Sequence, residues 1–243
     1  MNSSKFLVWA RWAGLIAIFA VGFWAPWERL GGAHPGSTWL WLAGSLAAGG
    51  LLTMGSATVL VIAIATTFLL LAALIRTWAA AYLGPDAVKD RELQMERLVA
   101  SGPYRFVRCP LYLGTWLLTL ALTILMPPGG ALFALIGVAM LIFALVRAEE
   151  RKLIARGGEA YTAYLRRVPQ FLPAFSPRLG AGAQQPQWMR GFLGEIHFWG
   201  MAGTYLFFAN RYNVTILEQG VLISIGIALL VRAVWQPLVP AAS

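Results

Sequence analysis

Two separated clusters hold the residues most able to do chemistry: Ser101-Gly-Pro-Tyr-Arg-Phe-Val-Arg-Cys-Pro-Leu-Tyr112 and, further along, Glu149-Glu150. Adjacent carboxylates at the foot of an apolar helix are costly unless something cationic is held there. The first cluster complements them. Gly102 to Arg105 reads as a turn, and Pro110 suits the first position of a helix capped by Cys109, where a missing N–H does no harm. The N-terminus of such a helix favours an anionic group such as a carboxylate or a phosphate. Beyond the acidic pair, Gly157-Gly158 breaks the chain before Tyr161 and Tyr164, which share one helical face.

Each part also has a plainer reading. Glutamates flanked by Arg147, Arg151 and Lys152 often form a solvated salt-bridge cluster, tyrosines at a helix end often anchor at an interface, and a lone cysteine is usually a small packing residue. Joint order and spacing favour a site.

The elements that must position these residues are apolar helices. The chain has 243 residues, of which 59% are hydrophobic and 12% charged, with a mean hydropathy of +0.67. Apolar runs recur near the ~20 residues that cross a bilayer. This composition predicts an all-α, polytopic transmembrane protein, and it excludes an ordinary soluble domain, whose surface would need more charge.

The first run, Phe6 to Pro26, carries Trp9, Arg11, Trp12 and Trp24 near its ends, as interfacial anchors do, and is too long for a signal peptide. Trp39 to Leu83 is long enough for two spans, with a break near Gly49-Gly50 and Gly55. Leu111 to Met126 and Ala131 to Val146 form a hairpin around Pro127-Pro-Gly-Gly130. Phe192 to Asn210 and Val214 to Trp235 add two more, so about seven spans are expected.

Orientation follows from charge. The polar segments Gly84 to Pro110 and Arg147 to Arg190 flank the hairpin and so share one side of the membrane. The second carries eight basic residues against three acidic, which makes that side cytoplasmic and puts the N-terminus opposite. The net charge of +9 is thus an orientation signal and an affinity for anionic headgroups, and no nucleic-acid motif accompanies it. Cys109 is the one cysteine, and the two histidines, His34 and His197, are far apart, so neither a disulfide nor a metal site is expected.

The string Gly102-Pro-Tyr-Arg-Phe-Val-Arg-Cys-Pro-Leu-Tyr-Leu-Gly114, then Glu149-Glu150, then Gly158-Glu-Ala-Tyr161, Tyr164 and Arg167-Val-Pro169 up to Pro173 resembles the isoprenylcysteine carboxyl methyltransferases and the related bacterial phospholipid and isoprenoid methyltransferases. The resemblance implies an integral membrane enzyme, in a bacterial inner membrane, that uses S-adenosylmethionine in a cytoplasm-facing pocket built around the hairpin. It implies cofactor contacts from Arg97, Leu98, Val99, Tyr104, Cys109, Pro110, Leu111 and Tyr112, with Tyr161 and Tyr164 beside them. Glu149 and Glu150 match the carboxylates at the reacting end of that pocket. The family usually has His where this chain has Cys109, and a thiol is a weaker hydrogen-bond donor than an imidazole.

Three regions follow: residues 1–84 as N-terminal transmembrane helices, 85–176 as the methyltransferase core, and 177–243 as a linker and two C-terminal helices. Methyl transfer from a sulfonium is an in-line displacement, so the protein must mainly align donor and acceptor and exclude water. One glutamate would hold the cofactor's cationic end while Arg147 or Arg151 orients an anionic substrate group. An amine or thiol acceptor would need a base, which Glu149 or Glu150 could supply; a carboxylate would not. The acceptor is expected to be a lipophilic small molecule or a prenylated protein end drawn from the bilayer. Two other readings compete: an NADPH-dependent membrane reductase of the sterol-reductase type, which should carry more Arg, Lys and Asn where this chain has Glu149-Glu150, and a non-catalytic membrane protein.

Overall fold

The computed structural model describes residues 3–27, 29, 36–83, 101–182, 184–211 and 214–238. Among them the only regular elements are helices. In order come α1 (Ser3–Trp24), α2 (Thr38–Ala48), α3 (Met54–Tyr82), a 3-10 turn (Gly102–Arg105), α4 (Pro110–Thr123), α5 (Pro128–Arg167), α6 (Trp188–Gly194), α7 (Ile196–Arg211) and α8 (Val214–Leu238). α3 and the Pro128–Ala155 stretch of α5 are long and apolar enough to cross a membrane. The other apolar stretches, Ala10–Trp24, Pro110–Thr123 and Gln219–Val231, fall short of that length.

The breaks lie where backbone chemistry requires them. α2 ends at Gly49, and Gly50 adopts φ +70°, a left-handed conformation that costs glycine least. α5 opens at Pro128, directly after the turn that closes the hairpin. One expectation needs correcting. The return helix does not end at Glu149-Glu150: it runs on to Arg167, with a kink at Gly158 (φ 53°, ψ −135°). Residues 151–156 are Arg, Lys, Leu, Ile and Ala, which are good or tolerable helix formers, so nothing before the Gly157-Gly158 pair stops propagation.

The residues pack as two compact units, one of Met1–Phe68 with Trp116–Ala148, the other of Leu69–Thr115 with Glu149–Ser243. In the first, Ile18, Phe19 and Phe23 of α1 pack on buried Met126, Ala131 and Ala134. A side chain at Gly130 would collide with the carbonyl of Gly22, so the two backbones approach closely at small residues. The first turn of α2 is satisfied by carbonyls beyond the end of α4: Thr38 donates to Met126 O from both N (2.7 Å) and Oγ1 (2.8 Å), and Trp39 N donates to Ile124 O.

In the second unit, α6 lies against the end of α3. A Cβ on Gly191 would sit 2.7 Å from both Ala81 N and Thr77 O, while Gln187 N donates to Ala81 O and Trp199 Nε1 to Thr77 Oγ1. α7 and α8 meet through Gly200 against Ser224 and Gly220 against Thr204. This second unit carries the candidate site.

Candidate functional site

Gly102 starts the site segment at φ +50°, and a Cβ there would lie 2.5 Å from the ring of Tyr82. Both facts restrict the position to glycine. The 3-10 turn that follows carries Tyr104, whose carbonyl accepts a hydrogen bond from Tyr164 Oη at 3.0 Å. Phe106 packs against Trp78, with ring centroids 5.8 Å apart.

From Arg105 to Cys109 the chain is held by the segment that follows α5. Arg108 N donates to Pro169 O (2.8 Å), Cys109 N to Gln170 O (3.2 Å), Ala174 N to Phe106 O (2.9 Å) and Arg178 N to Arg105 O (2.9 Å). Arg105 Nε adds a bond to Leu179 O at 2.9 Å. The expected cap is present. Cys109 O accepts the first helical bond, from Leu113 N at 3.0 Å, and buried Pro110 opens α4.

The two clusters seen in the sequence meet here. Tyr112 Oη donates to Glu149 Oε1 at 2.8 Å, and Arg108 Nη1 donates to Glu150 Oε1 at 2.7 Å. The carboxylates are therefore not equivalent. Glu150 is neutralised by a guanidinium in a largely buried pair, with side-chain exposures of 15% and 18%, whereas Glu149 makes no ion pair among the described residues. Tyr161 and Tyr164, buried with Val168, pack with tilted rings at a centroid distance of 5.7 Å.

The electrostatics agree with this clustering. Burial, and then the Glu150 carboxylate, pushes the Cys109 thiol from 9.0 to about 12. Burial likewise raises Tyr104, Tyr161 and Tyr164 above the ordinary phenol range; Glu150 adds to the shift of Tyr161, Tyr164 to that of Tyr104, and Tyr161 to that of Tyr164. These groups stay neutral near pH 7. The charge of the cluster therefore rests on Arg108, Glu149 and Glu150.

A test follows for Cys109. The three units between 9.0 and about 12 should make its alkylation at pH 8 about 1000-fold slower than that of a free thiol, rising roughly tenfold per pH unit. The sign for stability follows. Because folding raises this pKa, the thiol's contribution is fully present below pH 9 and is lost as pH climbs toward 12. An alkylation profile with its midpoint near 9 would show that the thiol lies in solvent.

The structure thus brings together Tyr104, Cys109, Pro110, Leu111, Tyr112, Glu149, Glu150, Tyr161 and Tyr164. Arg97, Leu98 and Val99 lie outside the described residues. Arg147 is exposed and stacks over Phe143, with Cζ 4.4 Å from the ring centroid, and Arg151 is exposed. Among the described residues, the cation paired with this acidic cluster is Arg108, through Glu150. Its role was hidden in the sequence because the partner lies across the fold. A second ion pair, Arg76 with Glu195, was also missed, although Arg76 is the only charge in α3 and for that reason conspicuous.

For a ligand with both cationic and anionic ends the fit is good. Glu149 offers a carboxylate bonded to Tyr112 but without a counter-ion among the described residues, and Arg108 Nε is a buried donor with no hydrogen-bond partner among them. No group of His, Cys, Asp and Glu suited to a metal ion occurs among them.

The phospholipid methyltransferase family profile matches residues 60–157. Methanethiol S-methyltransferase 2 of Bradyrhizobium diazoefficiens is 45% identical over 75 residues, which is 31% of this chain and 28% of that protein. Methanethiol S-methyltransferase of Crocosphaera subtropica is 37% identical over 70 residues, 29% of this chain and 27% of that protein. The chain thus matches less than a third of the length of either relative. No solved structure matches it.

Proposed function

We propose, from the match of residues 60–157 to the phospholipid methyltransferase family, that the chain is an integral membrane enzyme transferring a methyl group from S-adenosylmethionine to a lipophilic acceptor. The observation that carries this reading is the convergence of Arg108, Cys109, Tyr112, Glu149 and Glu150 on one cluster. When bound, the cofactor supplies an electrophilic methyl on a sulfonium. Glu149, which has no counter-ion among the described residues, would face the cationic end, and Arg108 Nε would meet the carboxylate of the methionine moiety. Glu150 holds Arg108 in place for that contact. The buried tyrosines limit water, as an in-line displacement requires.

The names of the two relatives favour a thiol among the possible acceptors. A thiol must lose its proton to attack, and Glu149, hydrogen-bonded to Tyr112, would be the carboxylate to take it. An amine would need the same base. A carboxylate acceptor would leave Glu149 only its electrostatic role.

The first test is binding. The purified protein should bind S-adenosylmethionine and S-adenosylhomocysteine at micromolar affinity, about 8 kcal/mol, and should not bind NADPH. A titration with heat for NADPH and none for the sulfonium compound would overturn the proposal in favour of a reductase. Membranes given radiolabelled S-adenosylmethionine and separated into lipid, protein and volatile fractions would then identify the acceptor.

The reading also carries a topology of about seven spans, with both polar segments cytoplasmic and the N-terminus outside. New cysteines near residues 86 and 178, in a Cys109→Ser background, should label from the same side. Labelling from opposite sides would rule out the hairpin arrangement.

A further inference from the structure

Arg76 spends its whole guanidinium within the second unit. Nε donates to Glu195 Oε2 at 2.7 Å and Nη2 to Glu195 Oε1 at 3.0 Å, a bidentate pair. Nη1 reaches the other way, to Leu111 O and Thr115 Oγ1, both at 2.9 Å. The guanidinium carbon lies 4.5 Å from the ring centroid of Phe198, and the arginine stem occupies the room that a side chain at Gly114 would fill. Side-chain exposures are 16% for Arg76 and 9% for Glu195.

Stability alone is a weak reason for such a pair. Desolvating two charges offsets most of their attraction, and well-packed apolar residues of similar volume often serve as well or better. What an apolar pair could not do is grip the first turn of α4. Leu111 directly follows Pro110, and its carbonyl accepts from both Arg76 and Thr115 Oγ1. That turn carries Tyr112 and is capped by Cys109, so its placement decides whether Tyr112 Oη reaches Glu149 at 2.8 Å. Arg76 touches none of the acidic residues of the site, so any effect on them passes through this turn.

We infer that Arg76, held by Glu195, is a positioning residue that locks the first turn of α4 and so sets Cys109 and Tyr112 against Glu149-Glu150. The catalytic consequence rests on the methyl-transfer reading. The positional claim does not, because Cys109 is the only cysteine in the chain and its alkylation reports on the turn without any turnover.

The test uses the full chain in detergent or nanodiscs. Arg76→Met combined with Glu195→Leu removes both charges and keeps the volume. This variant should melt close to the wild type, alkylate Cys109 about 10-fold faster, and lose about 10- to 100-fold in kcat with a smaller change in KM, as expected when reacting groups are misplaced rather than removed. Arg76→Lys keeps the charge but not the planar fork, so it should resemble the double variant more than the wild type. Thr115→Val, which leaves the ion pair intact, should raise the alkylation rate by a smaller factor, and it carries the test if the double variant fails to fold. A folded double variant with wild-type alkylation, or in its place a Thr115→Val protein with wild-type alkylation, overturns the inference. If the wild type transfers no methyl group, the functional reading falls, while the alkylation result still decides the role of Arg76.

Discussion

Glu149→Gln should lower methyl transfer about 100-fold or more, roughly 3 kcal/mol, with little change in melting temperature. Glutamine keeps the shape and can still accept the hydrogen bond from Tyr112 Oη, so the substitution removes charge alone. Glu150→Gln should cost activity to a similar extent but also destabilise the fold. It leaves the Arg108 guanidinium largely buried without its counter-ion, at about 3 kcal/mol, the lower end for breaking a buried pair because both side chains keep some contact with solvent. The two variants separate the carboxylates by stability rather than by activity. Full activity and full stability in both would reduce Glu149-Glu150 to a solvated cluster and move the search for the site elsewhere. Cys109→Ser should be mild, since the neutral thiol is at best a weak hydrogen-bonding group.

Local signals in the sequence located what is locally determined. Pro110 marks the start of α4 because a residue lacking an N–H is tolerated only in the first helical turn, and the glycines at 49 and 50 mark the end of α2 because Gly50 takes a left-handed φ. The Pro127 to Gly130 stretch marks the start of α5: Pro127 precedes it, and Pro128, Gly129 and Gly130 form its first turn. The extent of α5 was not legible from the charges at Glu149-Glu150, since a charged turn can continue a helix and only the kink at Gly158 interrupts this one. Partnerships across the fold were the hardest to read. The sequence assigned Arg147 or Arg151 to an anionic substrate group; Arg147 lies over Phe143, and the cation paired with Glu150 is Arg108, which arrives from a different element. The Arg76–Glu195 pair joins residues 119 positions apart, and no periodicity or spacing links them. Arg76 could still have been singled out, because a lone charge in an otherwise apolar helix needs a partner.

Arg108→Gln should be the most damaging single change at the site, because it removes the cation while leaving both adjacent carboxylates. Glu150 loses its 2.7 Å partner in a setting that is mostly buried, at a cost of about 3 kcal/mol or more. Activity should fall at least as far as in Glu150→Gln, since the free Nε donor disappears with the charge. Adding Glu150→Gln to Arg108→Gln should restore most of the stability, because two neutral amides can hydrogen-bond to each other without a desolvated charge between them. It should restore none of the activity if the pair serves the ligand and not only the fold. The measurement is a double-mutant cycle read twice, once by melting temperature and once by kcat/KM. A double variant that melts well above Arg108→Gln alone, with no recovery of turnover, is the expected result. Recovery of turnover together with stability would mean that Arg108 and Glu150 matter only as a structural pair, and Glu149 alone would then carry the charge that the reaction requires.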